Sequence, residues 1–235
     1  MIRVTLAPEP PDFDVKVRQP GLLAIAEMTG QMPTHPRKSG KAFKQRTRQE
    51  VQSDGTRIAV LINRPEDLPS SEIEPYWTEA IDDLMQAYDE VCAYSCFRIH
   101  PVTGAASVDH MAPKSRAWNR VYEWDNYRLA AARLNARKNA CGDVLDPFEV
   151  QYGWFELELV GFQVIPGQRL AEDDDIRKQV QNTIDRLGLN DFRSEREEDA
   201  VSYWASHISF ARLMKESPFV AMELRRQGRL RDGEV

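Results

Sequence analysis

The order of local patterns in the middle of this chain constrains its fold more than any other feature. Residues 96–110, CFRIHPVTGAASVDH, alternate as two short strands around a turn at Pro101–Gly104, which predicts a β-hairpin. Residues 126–140, NYRLAAARLNARKNA, are rich in Ala, Leu and Arg and predict a loop that enters a helix. A hairpin followed by a helix brings the end of a strand and one helix face together over one small site.

Polar side chains occur where such a site would form. Asp109 and His110 end the second predicted strand, and Asn126, Asn135 and Lys138 follow it. A carboxylate from Asp109 and an amide oxygen from Asn135 are hard donors, which suit a divalent cation that keeps most of its water. Side chains alternate along a strand, so His110 points away from Asp109. Histidine titrates near neutral pH, which makes His110 a candidate general base.

The Asp109-His110 pair alone is more typical of a surface turn than of a site. Its combination with Asn126, Asn135 and Lys138 at the right distances along the chain favours a site. Asn126 is expected to hold the hairpin or the imidazole in place through its amide.

This arrangement resembles the HNH nuclease family, whose ββα-metal core has the same order of parts. The matching stretches are VDHMAPKS at 108–115, YEWDNYRLA at 122–130 and LNARK at 134–138. The nine-residue gap from Asn126 to Asn135 is similar to that in the HNH domain of RNA-guided DNA nucleases. The three stretches together are fairly specific, whereas each alone is weak. The resemblance covers residues 90–150, roughly a quarter of the chain.

The resemblance implies a role for each matching residue. His110 corresponds to the general base, Asp109 and Asn135 to the metal ligands, and Asn126 to the central structural residue of the catalytic motif. The implied cofactor is a divalent metal, magnesium or manganese. Basic residues beside the motif are expected near the substrate phosphates, namely Lys114, Arg137 and Lys138. The motif is H-N-N rather than H-N-H, a variant that the family tolerates.

Structural zinc is a further property of many relatives, which bind it through two cysteine pairs. Cys92 and Cys96 keep a first pair, but the position of the second pair contains LAAARLN. A tetrahedral site of four sulfurs cannot be completed from this segment. We therefore expect no structural zinc, and we expect Cys92 and Cys96 to be buried packing residues.

The charges are unevenly distributed along the chain. The net charge is −6, yet residues 37–48 contain six positive charges and no negative one. Residues 110–140 have a net charge of +5, whereas residues 65–90 contain nine acids and no Lys or Arg. The basic middle is either a phosphate-binding face or a mixed solvated surface, and the 37–48 run is a candidate DNA-contacting arm.

The remaining patterns predict a mainly helical protein. Residues 1–20 are expected to be irregular or strand-like, and residues 21–30 are expected to form a short helix. Residues 31–58 are expected to be a long loop or an arm that orders on a partner. Residues 57–65 are expected to form a strand. Residues 75–90 show apolar positions at helical spacing, and 154–167 alternate as a hairpin. Further helices are predicted around residues 176–187, 201–208 and 217–228, the last with Ser217 as its cap.

The predicted fold class is α+β, with a ββα-metal (HNH-type) core embedded in a mainly helical protein with an additional β-hairpin. The predicted segments are 1–74 with the basic arm, 75–150 with the nuclease core, and 151–235 with the second hairpin and helices. No apolar run approaches a membrane span and no secretory signal is present, so a cytoplasmic protein without membrane contact is expected.

The expected function is a metal-dependent endonuclease that hydrolyses phosphodiester bonds of DNA, with RNA left open as a substrate. HNH proteins of this size resemble effectors of phage-defence or mobile-element systems. Two alternatives stay open: a non-catalytic nucleic-acid-binding protein with the same fold, and an interaction module that acts with a protein partner such as an ATPase.

Overall fold

The computed structural model describes residues 1–37 and 40–233, which divide into two compact units. The first unit comprises Met1–Ala7, Asp82–Asp109 and the chain from Arg128 onward. The second unit comprises Pro8–Ile81 and His110–Tyr127. Neither unit is continuous in sequence. The breaks between the two units do not coincide with the predicted segment boundaries after residues 74 and 150.

The second unit begins with a continuous helical segment. It is π-helical over Asp14–Arg18 and α-helical over Gln19–Met28 (α1). The predicted helix is therefore confirmed, but it starts earlier than expected. The expectation of irregular or strand-like chain up to residue 20 was wrong for its last third, because Phe13 and Val17 are fully buried and extend the apolar face of α1 at helical spacing.

A two-stranded hairpin follows in the segment that was expected to be a long loop. Thr47–Val51 (β1) and Arg57–Leu61 (β2) pair antiparallel, so the predicted strand at 57–65 is confirmed and the predicted loop at 31–58 is corrected. The connecting turn contains Gly55, whose φ of 82° is a left-handed conformation that favours glycine. The first strand, TRQEV, is too polar for its sequence to indicate a strand.

The centre of the chain forms a two-stranded sheet followed by a helix. Ala106–His110 (β3) pairs with Tyr127–Ala131 (β4), and Ala132–Lys138 (α3) follows β4 at once. In the first unit, the Ala132 amide donates to the Ala105 carbonyl at 2.8 Å at one end of this sheet. The start of β3 and the start of α3 thereby approach each other.

This sheet corrects two expectations. The predicted first strand of the hairpin forms turns instead, with one isolated bridge between Val91 and Arg98. The predicted loop before the helix is strand β4. Residues 127–130 are all buried, so β4 lacks the alternation of polar and apolar residues that marks a half-buried strand.

The predicted helix at 75–90 is present in shorter form. Tyr76–Ala80 is a 3₁₀ turn, and Ile81–Ala87 (α2) is α-helical. The predicted second hairpin is confirmed as Phe155–Leu157 (β5) paired antiparallel with Val164–Pro166 (β6).

The last part of the first unit is helical. Asp174–Leu187 (α4) matches its prediction and has Asp173 as a side-chain cap. The other helices are Arg193–Trp204 (α5), Phe210–Glu216 (α6) and Pro218–Arg226 (α7). Ser217 occupies the cap position of α7, but its side chain does not cap the helix; the hydroxyl donates to Asp199 instead.

Helices and small antiparallel two-stranded sheets make this an α+β protein, as predicted. Throughout residues 1–37 and 40–233, no helix combines the length and the hydropathy that a bilayer crossing requires.

Candidate functional site

His110, in the second unit, has a fixed ring orientation. Its Nε2 lies 3.0 Å from the carbonyl oxygen of Val121. The rings of Trp77 and Tyr127 contact the imidazole edge-on, with centroids at 4.9 and 5.2 Å. A carbonyl oxygen can only accept, so Nε2 is the nitrogen that carries the proton. In the neutral imidazole Nδ1 is then the basic nitrogen, as a general base requires. The side chain is buried, with 8% of its surface exposed.

Asn126 closes the loop that follows His110. Its side-chain oxygen accepts from the Ala112 amide at 2.7 Å, and its Nδ2 donates to the carbonyls of Ala112 at 3.2 Å and Arg120 at 2.8 Å. Its backbone carbonyl accepts from the Met111 amide at 2.9 Å. One buried amide therefore joins both ends of the loop that carries Val121, which fits the structural role expected for Asn126.

Lys114, also in the second unit, is half-buried beside the same aromatic ring. Its Nζ lies 3.9 Å from the centroid of the Trp77 ring. Burial lowers the pKa of the Lys114 ammonium. Trp77 thus contacts both His110 and Lys114, a role that its position in an apolar helical stripe did not indicate.

Asp109, in the first unit, is buried between two donors. Lys138 Nζ lies 3.1 Å from Oδ1, and the Tyr94 hydroxyl donates to Oδ2 at 2.5 Å. Burial raises the pKa of the Asp109 carboxyl, while Lys138 and Tyr94 lower it. Burial, together with the Asp109 charge, raises the pKa of Tyr94 well above its usual value, so Tyr94 keeps its proton and donates.

Asn135 approaches β3 from α3. Its Nδ2 donates to the Val108 carbonyl at 3.0 Å and to the Ser107 hydroxyl at 3.1 Å. Asn135 and Lys138 are three residues apart and share a helix face, so both reach the end of β3. In the first unit the structure therefore brings Asn135 to the residue before Asp109, and Lys138 to Asp109 itself.

The oxygen atoms of Asp109 and Asn135 in the first unit are of the type that magnesium and manganese prefer as ligands. The Asp109 carboxylate and the Asn135 amide oxygen are hard ligands, and such ions accept few protein ligands when water and phosphate complete the shell. Among the described residues, no group of three or more His, Cys, Asp or Glu side chains is placed to hold a metal. Each carboxylate oxygen accepts two bonds, so Lys138 and Tyr94 leave acceptor capacity on Asp109. Lys138 nevertheless competes with any cation for this carboxylate.

Two of the three expected phosphate contacts do not fit the geometry. The Lys138 side chain is 0% exposed and lies against Asp109, which corrects the expectation that it contacts substrate. Arg137 donates to the carbonyls of Leu187 and Gly188 and to the Asp191 carboxylate, so its guanidinium fastens α3 to the end of α4. Sequence position alone did not distinguish these roles from phosphate binding.

Cys92 and Cys96 are buried, as expected, and Cys141 is half-buried. Cys92 Sγ accepts from the Ala131 amide at 3.4 Å, which is a packing contact at the start of α3.

Comparison with known proteins leaves the family open. No protein-family model matches this chain, and no curated protein matches it.

Proposed function

We propose that this chain is a metal-dependent endonuclease that hydrolyses phosphodiester bonds of DNA. The observation that carries the proposal is the bond from His110 Nε2 to the Val121 carbonyl, in a loop closed by Asn126. The Val121 carbonyl accepts from Nε2, and the Asn126 amide holds the loop that carries Val121. This arrangement makes Nδ1 of the neutral imidazole the proton acceptor.

The order of elements supports the HNH resemblance on which the proposal also rests. A strand ends at His110, a loop follows, and a second strand begins directly after Asn126. The helix with Asn135 comes next. This strand, loop, strand and helix order is that of the ββα-metal core.

In the proposed reaction, Nδ1 of His110 takes a proton from a water molecule. The oxygen of that water forms a bond to phosphorus, the bond between phosphorus and the leaving oxygen breaks, and the leaving oxygen takes a proton from solvent. A divalent cation held by Asp109 and Asn135 would supply positive charge to the phosphate and to the leaving oxygen. Asn126 and Val121 keep the imidazole oriented, which limits the entropy that the reaction must lose.

The other polar residues have supporting roles in this proposal. Lys114 is the proposed phosphate contact, because its ammonium is held over the Trp77 ring, which also contacts His110. Lys138 and Tyr94 position the Asp109 carboxylate. A cytoplasmic location and an effector role in phage defence or a mobile element belong to the proposal through the resemblance alone.

One observation favours a second candidate, a nucleic-acid-binding protein without catalysis. The Asp109 carboxylate is 2% exposed and already has the Lys138 ammonium as its counter-ion. A carboxylate compensated in this way needs no metal for its stability. Nuclease activity therefore requires that a cation share or replace the contact with Lys138.

The test is the nicking of supercoiled plasmid with magnesium or manganese. We expect the wild-type chain to nick and His110→Ala to lose nicking. His207→Ala is the matched control, since His207 is exposed and far from the motif in sequence, and it should nick at the wild-type rate. Plasmid binding without nicking by the wild-type chain would favour the second candidate. Absence of both activities, with a protein partner co-purifying, would favour the interaction module.

A further inference from the structure

The β1–β2 hairpin has one face that no described residue of the second unit covers. Directly paired residues of antiparallel strands share a face. The register therefore places six residues together, which we call the ribbon face: Thr47, Gln49, Val51, Arg57, Ala59 and Leu61. All six are exposed, including Val51 at 66% and Leu61 at 51%.

The other face of the β1–β2 hairpin contacts the rest of the second unit through ion pairs. Arg48 contacts Glu50 and Asp67, and Arg46, just before β1, contacts Glu72. Isolated two-stranded hairpins are marginally stable in water. These ion pairs and the half-buried Ile58 hold the hairpin on one side and leave the ribbon face open.

The charge of this segment contrasts with that of the chain. Residues 40–64 contain six Lys or Arg and two Asp or Glu, a net charge of +4, whereas the whole chain is at −6. The ion pairs of the opposite face neutralise part of this charge. Lys41, Lys44 and Arg57 are exposed and form no ion pair with any residue that the structure describes. Of these three uncompensated charges, Arg57 lies on the ribbon face, and Lys41 and Lys44 precede β1 in sequence.

We propose that the ribbon face binds duplex DNA in the major groove, an inference that rests on DNA being the substrate of the proposed endonuclease. The major groove is about 12 Å wide and admits a two-stranded ribbon. Gln49 and Arg57 have the side chains that pair with adenine and guanine edges, while Thr47, Val51 and Ala59 suit thymine methyl groups.

The composition of the ribbon face favours a duplex over other partners. Proteins that hold single strands stack bases on aromatic side chains, and the ribbon face has no aromatic residue. A protein partner would suit Val51 and Leu61, but it would gain little from Lys41, Lys44 and Arg57 unless it were acidic. Lys41 and Lys44, next to the ribbon in sequence, are suited to the phosphates beside the groove.

The test is the binding of the full chain to a fluorescent duplex of mixed sequence over a range of salt concentrations. The ribbon variant combines Lys41→Gln, Lys44→Gln and Arg57→Gln. We expect its Kd at low salt to rise at least tenfold. The slope of log Kd against log salt should fall by about 2, because two phosphate contacts are lost, while Arg57→Gln removes a contact to a base edge. The matched control replaces the exposed Arg177, Lys178 and Arg193 by Gln and should leave both values unchanged.

Several outcomes would overturn the ribbon assignment: an unchanged Kd and slope in the ribbon variant, tighter binding of the single strand than of the duplex, or no duplex binding at all. A second variant, Val51→Ser with Leu61→Ser, tests self-association. If it converts a wild-type dimer to a monomer without weakening duplex binding, the ribbon face is a contact between copies of this chain. All variants change exposed side chains, and an unchanged melting temperature verifies their folding.

Nicking measured in parallel separates this inference from the proposed function. Ribbon-dependent binding without nicking would support the ribbon and contradict the endonuclease. Nicking that depends on His110, with binding unaffected by the ribbon variant, would support the endonuclease and contradict the ribbon.

Discussion

Lys138 Nζ lies 3.1 Å from Asp109 Oδ1, and both side chains are buried. Two charges removed from water offset each other only while both are present. The Tyr94 hydroxyl adds a second donor to the same carboxylate. This pair connects α3 to β3 and sets the electrostatics of the residue that the proposed function needs as a metal ligand.

Removal of one partner of this pair should destabilise the chain strongly. Lys138→Met leaves an uncompensated buried carboxylate, and we expect the free energy of unfolding to fall by about 3–5 kcal/mol. The double variant with Asp109→Asn should recover most of this loss. Urea unfolding measures both. The exposed pair of Arg186 with Asp143 is the control, and Arg186→Met should cost at most about 1 kcal/mol. A comparably small cost for Lys138→Met would contradict the burial of the pair.

Manganese should stabilise the folded chain through Asp109. A ligand present at a hundredfold excess over its Kd adds about 2.7 kcal/mol of stability, which corresponds to a rise in melting temperature of roughly 5–10 °C. We expect this rise in the wild-type chain and in Asp143→Asn, an exposed control, but not in Asp109→Asn. The melting temperature of each variant is measured with and without manganese, and the two values are compared. An equal rise in Asp109→Asn would place the ion elsewhere.

Asn126→Asp should weaken both the loop and the activity. The new carboxylate would face the Ala112 and Arg120 carbonyls, to which the amide now donates, so two favourable contacts become repulsive. We expect a loss of about 2 kcal/mol or more in unfolding free energy and a loss of nicking. Asn182→Asp is the control, because Asn182 makes a single exposed bond to the Asp143 carbonyl. Wild-type nicking by Asn126→Asp would show that the loop does not orient His110.

Asp199 should make the stability of the first unit dependent on pH. Burial raises the pKa of this carboxyl above 3.8, against the bond from Ser217, and the charges of Glu198 and Glu216 raise it further. At a pH between the unfolded and folded pKa values of Asp199, the folded chain binds more protons at this carboxyl than the unfolded chain does. The contribution of Asp199 to the free energy of unfolding therefore falls as the pH rises through that range.

Asp199→Asn removes the free-energy cost of burying a charged carboxylate at this position. Its melting temperature should exceed that of the wild-type chain at neutral pH, and the difference should vanish below pH 3.8, the unfolded pKa. Glu197→Gln, an exposed neighbour on α5, should show no such trend. A difference that is constant with pH would mean that the Asp199 pKa is not raised.

The parts of the fold that were predictable are those with regular periodicity and local end signals. Val180, Ile184 and Leu187 are buried on one side of α4, in line with the half-buried Ile176, and Gly188 ends the helix in a left-handed conformation. The strands β1 and β4 lacked such signals. The first is polar and exposed, and the second is buried on both faces, so neither shows the alternation of a half-buried strand.

The candidate residues could be proposed from the sequence, but only part of their contacts could be predicted. The motif spacing indicated Asp109, His110, Asn126 and Asn135 together. It could not indicate that Lys138 points inward, because a lysine beside a motif is equally suited to a phosphate and to a carboxylate. Contacts from distant segments, such as those of Trp77 and Tyr94, depend on long-range packing that has no local signature.

The rate of phosphodiester cleavage by the wild-type chain and by His110→Ala tests the central claim most directly. It is measured as the first-order conversion of supercoiled to nicked plasmid at saturating protein and manganese. Removal of a general base should lower this rate by a factor of about 10² to 10⁴ in a variant that remains folded and still binds plasmid. A folded His110→Ala variant that cleaves at the wild-type rate would contradict the account.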